Sequence, residues 1–130
     1  MTVDKPCIVY YCADETHRQV IISLCRKCAL PLVMLDEETI RTPLGLLCSA
    51  RDWNRPFLFV PQQPSGRMEE DLLVFSGLND RTLDRVLSEL KKQRCYIANK
   101  AVLTPANAMW NALMLQEHLF GERPDAFVKP

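Results

Sequence analysis

The chain runs to 130 residues, 48% hydrophobic and 25% charged, with 16 basic side chains balancing 16 acidic ones. A globular domain of this size buries about two thirds of the surface its unfolded form exposes, so it needs no metal or disulfide to hold it. The balance is local as well, seven of each sign over residues 1–66 and nine of each over 67–130, which sets aside a nucleic-acid partner, because phosphate backbones select a basic excess.

In chain order, the opening MTVDKPCIVYY has too short an apolar run for a signal peptide and no small-residue cleavage site. No later run approaches the roughly 20 residues of a membrane span. The expected setting is therefore cytoplasmic, with no membrane partner. Residues 7–11 form a short apolar run, the mark of a buried parallel strand. A helix is predicted over 15–28, a strand over 31–35, a helix after Pro43 and a strand over 57–60. The connector QQPSGRMEED, residues 62–71, has the Pro, Ser, Gly and charge of a linker. Beyond it a strand is expected over 72–75, a helix over 80–93, a strand over 95–98, a long helix over 105–120 and a weak strand over 126–128. Leu83, Val86, Leu87 and Leu90 make one apolar stripe on the 80–93 helix. Lys91, Lys92 and Arg94 close that helix, where cations suit the negative end of its dipole.

Strands alternating with helices predict an α/β fold, a mainly parallel sheet with helical crossovers. The chain also echoes itself. IVYYCADETHRQVIISL at 8–24 follows the plan of LVFSGLNDRTLDRVLSEL at 73–90. RTP at 41–43 matches LTP at 103–105, an offset of 104 − 42 = 62, and RPFLFVP at 55–61 answers RPDAFVKP at 123–130, an offset of 123 − 55 = 68. The expectation is an internal duplication: two related βαβα halves, 1–61 and 72–130, joined by 62–71 and packed as one compact unit.

Thr104 reads as an N-cap with Pro105 at the first helical position, and Thr42-Pro43 repeats the device. Trp110, six residues on, then anchors the helix to the core. In open α/β sheets ligands bind beyond the carboxyl ends of strands, where helix N-termini present unpaired N–H groups. With parallel strands, Ser76, Gly77, Asn79, Lys100, Thr104, Asn107 and Trp110 gather at one such edge and would hold a small anion. Aligned on Thr-Pro, the first half places Glu38, Gly45 and Cys48 opposite Lys100, Asn107 and Trp110, so the polar set belongs to the second half alone.

LLVFSGLNDRTLDRVLSEL followed by KAVLTPANAMWNALMLQEHL resembles a family of small bacterial proteins known only as a domain of unknown function. Its members show a Val-x-Phe-x-Gly-Leu start, a helix containing Leu-Asp, and a Lys-Ala-Val-Leu-Thr-Pro-x-Asn-x-x-Trp block. The resemblance covers about residues 72–120, and the first half keeps only the skeleton. It implies that Lys100, Thr104, Pro105, Asn107 and Trp110 form a family block, and it implies no activity or cofactor.

Six cysteines, Cys7, Cys12, Cys25, Cys28, Cys48 and Cys95, lie mostly in apolar runs and read as small core residues. Cys25-x-x-Cys28 closes a helix, where the dipole opposes thiolate formation. Cys7 and Cys12 lie five apart on a strand and face opposite sides, which argues against a zinc site. His17 and His118 read as surface or boundary residues. Acid pairs such as Asp36–Glu38 and Glu69–Asp71 read as solvated turns, and catalytic residues remain unknown. The composite expectation is a small non-enzymatic binding or protein-interaction module. It carries no cofactor and binds an unknown protein partner or self-associates. The alternative is a small-molecule enzyme or sensor that binds an anion at the strand edge.

Overall fold

The computed structural model describes residues 6–48 and 66–122. The strands expected over 57–60 and 126–128, and the paired Arg-Pro segments, lie outside the described residues, as does the start of the expected linker, residues 62–65. In order, the elements are β1 (Cys7–Tyr11), α1 (Glu15–Lys27), β2 (Leu32–Met34), a 3-10 turn (Thr39–Arg41), α2 (Leu44–Cys48), β3 (Leu72–Ser76), α3 (Asp80–Lys92), β4 (Asn99–Val102) and α4 (Ala112–Glu122).

The two long crossover helices start and stop by the same chemistry. Asp14 Oδ1 accepts the N–H of Thr16 at 3.0 Å, and Asn79 Oδ1 accepts the N–H of Thr82 at 2.8 Å. Each helix carries an acid in its first turn and two bases in its last, which suits its dipole. Each ends on a left-handed residue, Ala29 at φ 57° and Arg94 at φ 54°. The next N–H then turns back onto the last turn, Leu30 to the Cys25 carbonyl at 2.8 Å and Cys95 to the Leu90 carbonyl at 2.9 Å. This is the closing bond of a left-handed helix stop. From strand start to helix stop the spacing is constant: 72 − 7, 80 − 15 and 94 − 29 all equal 65.

The strand order is β2-β1-β3-β4. β1 pairs with β2 and β3 with β4 in parallel, but the central pair is antiparallel, running from Cys7↔Ser76 to Tyr11↔Leu72. The sheet is therefore mixed, which corrects the expectation of a mainly parallel one. The geometry has a simple cause. The second unit reverses both its strand direction and its sideways step, so crossovers of the same hand put both helices on one face. The carboxyl ends of β1 and β3 consequently lie at opposite edges of the sheet.

Strand alternation divides the core in two. Ile8, Tyr10, Leu73 and Phe75 pack under α1 and α3 with Ile21, Leu24, Val86 and Leu90. Cys7, Val9, Leu72 and Val74 pack on the other face with Ile40, Leu44, Ala112, Leu113 and Leu115. Between α1 and α3, Lys27 Nζ lies 3.2 Å from Glu89 Oε1. The hydrogen bond from Lys27 holds the Glu89 carboxyl below its ordinary range, against the opposing effect of burial.

Two boundaries move. The segment expected as a strand over 95–98 is a buried connection, because Cys95 and Ile97 fill the core beneath α3, and pairing begins only at Asn99↔Leu72. The helix expected from 105 starts at Ala112. Thr104-Pro105 opens a single turn instead, closed by the Asn107 N–H on the Thr104 carbonyl at 3.1 Å. A fresh start follows at Asn111, whose Oδ1 accepts the Met114 N–H at 2.9 Å. Thr42-Pro43 does precede a helix, α2.

Candidate functional site

Because Tyr11 pairs with Leu72, the residue before β3 arrives beside the loop that leaves β1. That residue is Asp71, and strand alternation turns it toward the face that carries α1. Its side chain is 4% exposed. Oδ1 accepts the backbone N–H groups of Ala13 at 2.6 Å and Asp14 at 2.7 Å. Oδ2 accepts the Tyr10 hydroxyl at 2.8 Å and lies 2.9 Å from His17 Nδ1. These four partners fill the acceptor positions of an ionised carboxylate. A carboxylate can only accept, so His17 Nδ1 carries the proton, and in the neutral ring the lone pair sits on Nε2. From the far side, buried Asn99 donates its Nδ2 to Glu70 Oε1 at 3.0 Å and to the Asp71 carbonyl at 3.2 Å.

Neighbouring groups are held in their neutral forms. Burial, then hydrogen bonding to Cys12 and Asp71, raises the Tyr10 phenol far above its ordinary range. Burial also raises the Cys12 thiol, and the nearby Asp71 and Glu15 charges add to that, against a lowering by Tyr10. Cys25 is pushed up to about 11 by burial, and Cys95 is raised for the same reason. None of the three has the electropositive setting of a reactive thiol. Cys7 packs on one side of the sheet and Cys12 against the other.

Over the Asp71–His17 pair lies a cleft of about 360 Å³, walled by Ala13, Asp14 and His17 on one side and by Glu69, Glu70 and residues 96–98 on the other. A second cavity of about 450 Å³ adjoins it, lined by Leu87, Leu90, Lys91, Cys95 and Lys100 together with the same three residues, Tyr96, Ile97 and Ala98. Tyr96 stands between the two at 70% exposure. One hollow is acidic and the other largely apolar.

The structure separates the residues expected at one anion-holding edge. Ser76, Gly77 and Asn79 follow one another at the carboxyl end of β3. Ser76 is buried, with no hydrogen-bond partner for its hydroxyl among the described residues. Gly77 takes φ 70° to leave the strand, and Asn79 caps α3. Lys100 does not join them. It pairs with Leu73, toward the other end of β3, and its ammonium donates to the Ile97 carbonyl. Thr104 and Asn107 bond each other reciprocally, the Thr104 N–H to Asn107 Oδ1 at 2.8 Å and the Asn107 N–H to Thr104 Oγ1 at 3.3 Å. Asn107 Nδ2 reaches the Val102 carbonyl at 3.2 Å. Trp110 packs against His118, ring centroids 5.0 Å apart. Its carbonyl accepts the Leu44 N–H at 2.8 Å, while that of Ala108 accepts the Gly45 N–H at 2.8 Å. The Thr-Pro turn thus caps α2 of the other half.

Asp71 and His17 are the residues that sequence reasoning passed over. Asp71 read as the solvated end of a linker and His17 as a surface residue. The available signal was an acid set directly against the apolar run Leu72–Phe75.

The cleft's floor opens the segment that the family comparison matches. Residues 71–124, spanning β3, α3, β4 and α4, carry a domain described as Domain of unknown function (DUF3783). No curated protein and no solved structure matches the chain.

Proposed function

We propose that the chain is a small non-enzymatic binding module whose ligand lies along the paired hollows on either side of Tyr96. The carrying observation is their common wall. Tyr96, Ile97 and Ala98 border both cavities, so one extended ligand would cross an exposed aromatic ring from polar to apolar ground, the usual make-up of a recognition groove. A binding role without catalysis is supported by the state of the local acid–base groups. Tyr10 and Cys12 are pushed toward their neutral forms, and both Asp71 oxygens are committed to structural bonds. The constant spacing of 65 between the two βαβ units supports reading the halves as a duplication whose two copies together wall this cleft.

The test is a fragment and metabolite screen observed by amide NMR on the labelled chain. Saturable shifts centred on Ala13, Asp14, His17 and residues 96–98 are expected. Shifts gathered instead at Gly77, Asn79 and Asn107 would restore the anion-edge alternative. If no fragment moves either group of amides, the binding reading is lost.

A further inference from the structure

Resting on the binding reading above, we propose that the cleft recognises an alkyl ammonium or guanidinium group carried on an apolar stem, with His17 Nε2 as its hydrogen-bond acceptor. The imidazole is the orienting element. Nδ1 is tied at 2.9 Å to a carboxylate that is itself fixed by three other donors. The ring therefore cannot turn freely, and His17 lines the cleft with Nδ1 turned to Asp71. The His17 side chain is 23% exposed, which admits a ligand atom without stranding the ring in solvent. A ligand atom meeting Nε2 must donate a proton, which selects an N–H or an O–H.

Charge narrows that choice. Asp14, Glu69 and Glu70 wall the cleft beside the buried Asp71, and among the described residues no Lys or Arg lines it. Hydrogen bonds from Thr16 hold the Asp14 carboxyl below its ordinary range, so it remains anionic beside the ligand. An anionic donor is thereby disfavoured and a cationic one favoured. The exposed Tyr96 ring adds a face for the same cation. Past Tyr96 the second hollow offers Leu87, Leu90 and Ile97 to an apolar stem, with Lys91 and Lys100 at its border. Those lysines discourage a second positive charge at the stem's far end.

Two sources share this chemistry: a free amine, and a basic side chain of a peptide. Amide NMR titrations with n-hexylamine and with acetyl-Leu-Arg-amide distinguish them, and acetyl-Leu-norleucine-amide serves as the uncharged control. The expected result is saturable movement of the Ala13, Asp14, His17 and Tyr96 amides with a charged probe, at least about tenfold tighter than with the control. Tighter binding of the peptide than of n-hexylamine identifies a peptide side chain, and the reverse identifies a free amine. His17→Asn keeps a donor for Asp71 but removes the Nε2 acceptor, so the chain stays folded while affinity falls about fivefold. Equal affinity for the charged and uncharged peptides, at the same amides, overturns the cation proposal and leaves the binding cleft standing. Unchanged affinity in His17→Asn overturns the role of Nε2. No saturable shift at these amides with any of the three probes overturns the proposal together with the cleft.

Discussion

The two βαβ units share strand length, helix length, cap position and left-handed stop, yet one is bolted to the rest of the chain and the other is not bolted in the same way. At the spacing of 65, Tyr10 corresponds to Phe75, His17 to Thr82 and Asp71 to Pro6. Three substitutions at matched positions thus separate a carboxylate hub from an apolar strand end. The loop after β1 has its N–H groups satisfied by a carboxylate from the other unit, so the hub joins the halves as well as flooring the cleft. A backbone plan can be common to both units while the polar chemistry is confined to one of the two junctions between them.

Removing the hub should produce the largest effect. Asp71→Ala leaves the Tyr10 hydroxyl, two backbone N–H groups and the His17 ring without their acceptor in a site that is 4% exposed. Stripping one member from a buried charged network costs about 3 kcal/mol or more. Urea denaturation should show that loss in the midpoint, with the slope preserved. A loss of only a few tenths would mean that water replaces the carboxylate readily and that the site is far more open than its burial indicates.

A smaller change converts one residue of the first unit to its counterpart. Tyr10→Phe places at β1 the residue that β3 carries at Phe75. The ring stays in the core beside Ile8 and Leu73, and only the bond to Asp71 disappears. The expected cost is about 1.5 kcal/mol, the weight of one hydrogen bond to a charged acceptor. Asp71 keeps three donors, so the amides of Ala13 and Asp14 should remain protected from hydrogen exchange. If the cost matched that of Asp71→Ala, the phenol rather than the carboxylate would be the keystone.

This contrast also explains what the sequence could and could not reveal. Local signals placed β1, α1, β3 and α3 almost to the residue, because each rests on nearby chemistry: an apolar run, a cap and a positively charged last turn. The antiparallel joining of β1 to β3 depends on how two units meet, and no local pattern encodes it. The same is true of the hub, which links residues 10–17 to residue 71 across 54 to 61 positions. Thr104-Pro105 misled in a different way. Its capping bond to the Asn107 N–H exists, but the Asn107 side chain returns to the Thr104 N–H and the Val102 carbonyl. That closes a turn where a helix would otherwise run on. Lys100 was placed at the wrong end of the sheet because β4 begins four residues later than its apolar run suggested.

The finest difference between the units lies in their helix caps, and exchanging them should have the smallest effect. Asp14 and Asn79 perform the same task at matched positions, but only Asp14 titrates. Hydrogen bonds from the Thr16 side chain and backbone depress its folded pKa. Its contribution is therefore present above the unfolded Asp value of about 3.9 and is lost as pH falls through the depressed folded value. Asp14→Asn should leave stability near that of the wild type at neutral pH, since Asp and Asn cap about equally well. At about pH 3 and below, under the ordinary Asp value, it should be the more stable of the two, because its amide oxygen still accepts the Thr16 N–H. Asn79→Asp should do the reverse in the second unit, matching the wild type at neutral pH and losing ground in acid. Urea midpoints across that range would read both. If Asp14→Asn tracked the wild type through the acid limb, the Thr16 bonds would not distinguish the two ionisation states, and the caps would be interchangeable in charge as well as in shape.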